Sequence, residues 1–424
     1  MMASAPHSGR HVTHPPFRGN RRRLVAVLAH ATRTAAWRVL PPLFIVLGSA
    51  MPAAAQAPDC APLRGRVVNF LFENDVNWLA VLGQSDDEYT TGVRFSGLFR
   101  RYPGRWAVQP DFWSWWPDNG TPTARNYCFT SDWSIGLNIY TPHKTESTDF
   151  IANDRPYVGW TYLAYSKNAL LFDGETLHEM RTFEVSVGLI GDWAGGRIFQ
   201  NGAHHLFRVR LPDGSIKEAM GWPHQMKREV GISISNRLRR RFYERTILVA
   251  RPDGTQEQSR FADTVLDSDI TVGTVFNHMG GGVTGRLGFN LGEHLGPIEG
   301  PRSSLGSQRG SQPTPQLPRF PAIHEPPHLP EMFVFGRIGG RGVWRNIFLD
   351  ESFFHDKTHT IEREPLVFEL EAGVAVRLSR VMITWRTVRR SPEFRRSDAT
   401  LPKLLEQKPP QLFGSLTVTY DFRR

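Results

Sequence analysis

The sequence predicts an all-β protein, a twelve-stranded antiparallel transmembrane β-barrel of the bacterial outer membrane. Three observations predict it: apolar and polar residues alternate in many segments, an export signal precedes them, and an aromatic strand closes the chain. Alternation over about ten residues places apolar side chains on one face of a strand and polar ones on the other, the signature of such barrels. A secreted β-sandwich, whose strands also alternate but are usually shorter, is the alternative.

Residues 1–55 are predicted to form a signal peptide. Arginines at 21–23 are followed by the apolar segment 43–47 and by alanines at 53–55, which is the order of a basic region, an apolar region and a cleavage site. Residues 56–424 would then form the barrel, with a Pro/Gly-rich insertion at 292–330. Cys60 and Cys128 are the only cysteines, and an oxidising periplasm permits a bridge between them.

The charge of the chain is concentrated in the predicted signal. Seven of the 51 basic residues and none of the 41 acidic ones lie in 1–55, which leaves 44 basic and 41 acidic residues, a net charge of +3, in the rest. So small a charge does not support binding to nucleic acid. A narrow barrel closes on itself, so we expect a monomer.

The alternation divides the mature chain into strands. The predicted strands lie roughly at 66–73, 89–99, 129–140, 156–168, 177–190, 226–242, 260–275, 282–291, 331–345, 364–378, 380–389 and 411–422. An even number of strands places both termini in the periplasm. The connections after odd-numbered strands then face outward, at 74–88, 141–155, 191–225, 276–281, 346–363 and 390–410. The inward connections are short except for those at 100–128 and 292–330.

Oxygen-bearing residues lie where the first two predicted strands meet. Asn74 and Asp75 follow strand one, and Thr90 lies near the start of strand two. Carboxylate and amide oxygens are the ligands that Ca²⁺ prefers. A bound ion of this kind can stabilise the oxyanion of ester hydrolysis as a Lewis acid. The same residues also suit an ordinary turn.

The outward connection 191–225 carries candidates for acid–base chemistry. It contains His204, His205 and Glu218. A histidine near a carboxylate can draw a proton from water at neutral pH. The sequence holds no Gly-x-Ser-x-Gly motif that would indicate a serine nucleophile.

An ordered set of motifs extends over the mature chain and resembles the outer-membrane lipid A 3′-O-deacylase family. The motifs are Glu73-Asn74-Asp75, Tyr89-Thr90-Thr91-Gly92, Ile139-Tyr140-Thr141-Pro142, Asp154-Arg155-Pro156-Tyr157-Val158-Gly159-Trp160, Gln200-Asn201-Gly202-Ala203-His204, Asn346-Ile347-Phe348-Leu349-Asp350 and the last strand. The resemblance implies a twelve-stranded barrel at the outer membrane. It also implies removal of the 3′-linked acyloxyacyl group of lipid A or lipopolysaccharide by calcium-dependent ester hydrolysis at the extracellular rim.

The resemblance also assigns roles to residues. Asn74 and Asp75 match the family's Asn-Asp pair, which we expect to hold Ca²⁺, and Thr90 matches its active-site hydroxyl. His204 matches the proposed base, and Glu218 corresponds to a glutamate of the same loop, although an insertion separates the two here.

Two further residues enter through the same resemblance. Lys144 is the candidate for a substrate-binding lysine that some members carry after the Tyr-x-Pro segment. His205 is the alternative to His204 as the base.

The predicted mechanism is attack by activated water. His204, oriented by Glu218, would take the proton, and Thr90 would hydrogen-bond water or substrate. Water is favoured over an acyl-enzyme on Thr90 because no base is evident beside that residue.

The sequence leaves two alternatives. One is an outer-membrane phospholipase or other lipid esterase. The other is a porin-like barrel without catalysis, although inward-facing charges would fill so narrow a lumen with ion pairs. These charges are Glu184, Glu369, Glu371 and Arg377.

Overall fold

A computed structural model describes residues 66–74, 89–101, 127–173, 176–211, 213–250, 254, 256–292, 294–295, 330–352, 354–396 and 410–422. Within these residues, twelve long strands close into one antiparallel barrel, so the predicted fold is confirmed. The predicted signal peptide, Cys60, the side chain of Cys128 and nearly all of 292–330 lie outside the description.

The strands follow one another around the barrel in chain order, and the first pairs with the last. The strands are β1 (Arg66–Asn74), β2 (Tyr89–Arg101), β3 (Tyr127–Tyr140), β4 (Val158–Asp173), β5 (Thr176–Ile190), β6 (Glu229–Ala250), β7 (Gln256–Gly273), β8 (Phe276–Phe289), β9 (Glu331–Asn346), β10 (Ile361–Arg363), β11 (Leu366–Leu378), β12 (Val381–Arg390), β13 (Phe394–Arg396) and β14 (Gln411–Phe422). Of these, β10 and β13 form a separate two-stranded sheet in segments that the sequence assigns to outward connections.

Two strand boundaries differ clearly from the prediction, the end of β6, which continues to Ala250, and the start of β8. The segment 276–281, expected to be an outward connection, is the first part of β8. Its glycines resemble a loop in sequence, but their lack of a side chain is used for packing in the sheet. A Cβ at Gly281 would lie 2.9 Å from the Asp267 carbonyl oxygen, and one at Gly282, the first residue of the predicted strand, would lie 2.5 Å from the Arg337 guanidinium.

The connection 191–225 contains a helix that the sequence did not predict. Helix α1 spans Gly196–Phe207, and the short helix α2 spans Ile347–Asp350. Glycine, asparagine and histidine are weak helix formers, which hides α1 in the sequence. Neither helix is long and apolar enough to cross a membrane.

The two faces of the barrel wall differ in chemistry. The inward face carries buried ion pairs, among them Arg94–Glu184 at 2.9 Å and Arg337–Glu371 at 3.0 Å. The four inward charges named from the sequence all form such pairs, because Arg390 meets Glu369 at 2.7 Å and Arg377 meets Glu331 at 2.7 Å. The outward face exposes large apolar side chains, including Phe70, Phe95, Trp133, Ile135 and Leu163.

Candidate functional site

The first component of the site is a row of residues on the outer face of the wall, at one rim. Register places Asn74 of β1 opposite Thr91 of β2, Thr91 opposite Ile139 of β3, and Ile139 opposite Gly159 of β4. Adjacent strands lie about 4.8 Å apart, so the row extends about 14 Å around the barrel. It shares its face with the exposed Phe70 and therefore lies on the side that would contact lipid.

Below this row the outer face is apolar. The next row of register partners is Phe72, Val93 and Leu137, and the row after it is Phe70, Phe95 and Ile135. The members of that lower row are 46%, 47% and 53% exposed, respectively. The polar part of the first row, Asn74 with Thr91, thus lies directly above an apolar wall.

The polar row is ordered by a hydrogen bond that the sequence did not predict. The Asn74 side-chain amide donates to the Thr91 hydroxyl at 2.9 Å, and both residues are buried. The backbone of Thr90 lies at a register irregularity between Tyr89 and Thr91, and its side chain lies outside the description. Strand alternation could have indicated Thr91, since it pairs directly with Asn74.

Helix α1 is the second component, and it begins on the outer face of β4. A Cβ at Gly159 would lie 3.1 Å from the Cβ of Ala194 and 3.2 Å from the backbone of Gly196. The Thr161 hydroxyl, on the same face, donates to the Ala194 carbonyl at 2.7 Å. The absence of a side chain at both glycines therefore allows the start of the helix to contact the wall.

The polar side of α1 is held by the segment that follows it. The buried Trp222 indole donates to Gln200 at 2.9 Å, and the Asn201 side chain accepts from the Ala219 amide at 3.0 Å. Trp222 and Ala219 pack with Ile139 of β3 and with Tyr157. Since α1 contacts both β3 and β4, it crosses from β4 towards the strands that carry Thr91 and Asn74.

The opposite side of α1 is apolar and exposed. Ile198 is 81% exposed and Leu206 76%, and Phe207, at the end of the helix and nearer the side of Gln200, is 69% exposed. Because the helix lies on the lipid-facing side of the wall, these side chains extend the apolar surface of the barrel around it. Amphipathic helices of this kind lie in the interface of a bilayer.

His204 and His205 point to different surroundings. His204 is half-buried, and its Nδ1 lies 2.9 Å from the Lys217 carbonyl oxygen. A carbonyl only accepts, so Nδ1 carries the proton, and Nε2 is the basic nitrogen of the neutral ring. His205 is exposed, and its Nε2 lies 3.0 Å from the Glu218 carboxylate.

This geometry corrects the prediction that Glu218 orients His204. Consecutive residues of a helix point about 100° apart, and consecutive residues of an extended segment point to opposite sides. His204 therefore meets the backbone of Lys217, whereas the Glu218 side chain is directed to His205. The Glu218–His205 pair is about half exposed on both sides, at 48% and 54%.

Lys144 lies in the loop that packs beside this segment. The Met220 amide donates to the Thr145 carbonyl at 2.8 Å, and Lys217 pairs with Glu146 at 3.2 Å. Burial would raise the pKa of Glu146, but hydrogen bonds from the backbone and from Lys217 lower it below its usual value. Lys144 itself is exposed at the same rim.

The predicted calcium ligands are described only in part. Asp75 lies outside the described residues, and among those residues no group of three or more His, Cys, Asp or Glu could hold a metal ion. Among the described rim residues, the Asn74 side-chain carbonyl and the Thr91 hydroxyl offer oxygen atoms of the kind that a hard cation binds. The carboxylate that would complete the set is that of Asp75.

Comparison with known proteins assigns this architecture to a family. The family model described as "Outer membrane protein LpxR" matches residues 43–422. The solved structure of LpxR from Salmonella typhimurium is 15% identical, with a TM-score of 0.53, and the match covers 84% of this chain and 99% of that one.

More distant barrels also match in structure. The β domain of the Bordetella autotransporter Brka is 10% identical, with a TM-score of 0.34, and the match covers 85% of this chain and 99% of that one. No curated protein sequence matches this chain. On the family match over most of its length, the chain belongs to the LpxR family of outer-membrane proteins.

Proposed function

We propose that the protein is a lipid A 3′-O-deacylase, which hydrolyses the ester of the 3′-linked acyloxyacyl group with His204 as the base and the helix-bearing rim facing the cell exterior. One observation carries the proposal. The polar row Asn74–Thr91 and the histidine-bearing helix lie on the lipid-facing side of the wall, directly above apolar side chains. Family membership supports the reaction and the lipid A substrate.

The position of the site favours a substrate that stays in the membrane. Acyl chains can lie against the outer wall below the row, while the ester reaches Asn74 and Thr91. Burial of a CH₂ group is worth about 0.8 kcal/mol in transfer from water, but these chains are already in lipid. Specificity should therefore come from polar contacts of the headgroup, for which Lys144 at the same rim is a candidate.

The reaction requires one base that later acts as an acid. His204 Nε2 takes a proton from water as the water oxygen attacks the ester carbonyl. When the tetrahedral intermediate collapses, the bond to the sugar 3′ oxygen breaks, and the imidazolium returns the proton to that oxygen. The products are a free acyloxyacyl acid and the sugar hydroxyl.

The remaining residues position the reactants. The hydrogen bond that the His204 Nδ1–H donates to the Lys217 carbonyl oxygen holds the ring in the required tautomer. Thr90, with Thr91 and Asn74, would hydrogen-bond the water or the ester. Ca²⁺ bound by Asn74 and Asp75 would polarise the ester carbonyl as a Lewis acid.

The experiment is mass spectrometry of lipid A after incubation with refolded protein in detergent, with Ca²⁺ or with EDTA. We expect loss of one acyloxyacyl unit in the sample with Ca²⁺ and no loss in the sample with EDTA. Release of the same unit in EDTA would contradict the calcium assignment. Intact lipid A in both samples, with folding demonstrated by heat-modifiable gel mobility, would contradict the proposed reaction. A parallel assay on a glycerophospholipid would detect the phospholipase alternative.

A further inference from the structure

A recess lies beside α1, and its lining does not include Asn74 or Thr91. It has a volume of about 960 Å³ and lies between the first turns of α1 and the segment that leads into β6. Its lining includes Arg197, Lys227, Arg228, Ile198 and Trp222, and we call it the basic groove.

The cations of the basic groove are only partly neutralised. Arg228 makes a two-pronged ion pair with Asp192, with both hydrogen bonds at 2.7 Å, so these two charges cancel. Arg197 and Lys227 are exposed, and neither forms an ion pair with any residue in the described part of the chain. Two positive charges without local compensation therefore face one recess.

The chemistry of the lining selects a type of ligand. Two uncompensated cations match a phosphate monoester, which carries up to two negative charges and accepts several hydrogen bonds. The volume far exceeds that of a phosphate ion and has room for a sugar that bears it. Ile198, 81% exposed at the edge, favours a ligand that belongs to an amphiphile at the membrane surface.

The groove has a defined position relative to His204. Arg197 precedes His204 by seven residues, which is about two helical turns, or about 10 Å along the axis of α1. The two residues are also on nearly the same side of the helix. A phosphate held at Arg197 would therefore belong to a part of the headgroup other than the carbon that bears the scissile ester.

We infer that the basic groove is a subsite for a phosphate-bearing sugar of the glycolipid headgroup, remote from the cleaved ester. The inference rests on the proposed function for the identity of the glycolipid. The groove would make turnover depend on phosphorylation without taking part in the chemical step.

The kinetic test compares lipid A that carries two phosphates with lipid A from which either phosphate has been removed. The variant is Arg197→Ala with Lys227→Ala, and the control is Arg210→Ala, which removes an exposed arginine of the same connection outside the groove. The double variant should raise KM about tenfold for the bisphosphorylated lipid with kcat unchanged. For the wild type, one of the monophosphorylated lipids should show the same rise in KM, which the double variant should not increase further.

A binding measurement separates this inference from the proposed function. Binding of the bisphosphorylated lipid to full-length His204→Ala protein is followed by fluorescence, with inorganic phosphate as competitor. Weaker binding after the double substitution supports the groove even if no lipid A is hydrolysed. Equal binding with and without the two cations, or an equal loss for all lipids, would overturn it. Displacement by phosphate at micromolar concentration would identify free phosphate as the ligand instead.

Discussion

The lumen of the barrel and its outer face at the helix-bearing rim are both rich in polar residues, but they use them differently. In the lumen, guanidinium groups and carboxylates are buried in pairs, as for Arg386 with Glu73 at 2.5 Å and with Glu371 at 3.3 Å. At the rim, the wall carries the uncharged Asn74 and Thr91, and α1, which contacts β3 and β4, carries two histidines. Charge in the lumen is balanced locally, whereas the rim offers a base and hydrogen-bonding groups to a ligand.

The lumen residues stabilise the barrel, whereas the rim residues are candidates for binding and catalysis. A buried charge is stable only when its partner stays in place, so the lumen network resists change and fills the interior. The porin-like alternative has no support in such an interior, as far as the described strands extend. Part of the rim is the connection 191–225, whose helix α1 is stabilised by packing against the barrel wall. Connections of this kind often carry binding and catalytic residues.

The largest effect is expected at His204. Loss of a general base typically costs about 10²–10⁴-fold in rate, so His204→Ala should lose that much deacylation while the barrel stays folded. His205→Ala, which removes only an exposed partner of Glu218, should keep activity within a few-fold of wild type. Release of fatty acid from lipid A is the measurement. If His205→Ala is the inactive variant, the base has been misassigned by one residue.

In the lumen, Arg386→Met should affect stability and not catalysis. The substitution removes the cation beside buried Glu73, which should cost about 3–5 kcal/mol, whereas Glu371 keeps Arg337 at 3.0 Å. Arg395→Met is the matched control, because Arg395 is 49% exposed in its pair with Glu364 and such pairs contribute about 1 kcal/mol or less. Urea unfolding followed by gel mobility measures both. Equal midpoints for the two variants would show that the lumen pairs do not stabilise the barrel.

Substitution of two glycines of α1 tests how the packing of this helix on the barrel wall affects activity. A Cβ at Gly196 would lie 2.5 Å from the Trp222 ring and 3.2 Å from Gly159, so Gly196→Ala should push the helix away from the wall. A displacement near 1 Å can cost about 10²-fold, and we expect a loss of about tenfold or more in kcat. Gly202 has nothing within 4 Å of a Cβ, so Gly202→Ala should retain activity and favour the helix by up to about 1 kcal/mol. Equal activities would mean that helix position does not matter.

The sequence predicted the barrel well because alternation along a strand directly records which side faces the lumen. The prediction failed where a strand contains glycine because a side chain would not fit. Gly281 lies in the predicted connection 276–281, but it belongs to β8 and lies against Asp267. The length of β6, which continues to Ala250, was underestimated because its later residues alternate poorly.

The sequence supplied candidate residues for the site but not their contacts. Asn74 and His204 were identified by resemblance, whereas α1, the Thr91 hydrogen bond and the basic groove were not predicted. α1 is formed by contacts with Gly159 and Trp222 that are distant in the chain, so its own propensity is a poor guide. Which of two adjacent histidines meets Glu218 depends on the helix and the returning segment together.

The smallest effect is expected from substitution of Glu218, which tests which of the two histidines this carboxylate contacts. In the structure its carboxylate contacts exposed His205 at 3.0 Å, and an exposed pair contributes about 1 kcal/mol or less. Glu218→Gln should therefore change kcat by less than about fivefold and leave its pH dependence unaltered, because the amide can still hydrogen-bond His205. A carboxylate that stabilised the imidazolium of His204 would give a different result. Glu218→Gln would then lower kcat by more than tenfold and shift its pH profile, with the segment reorganised around the bound lipid. A pH profile of kcat for Glu218→Gln beside the wild type decides between these two arrangements of the same three side chains.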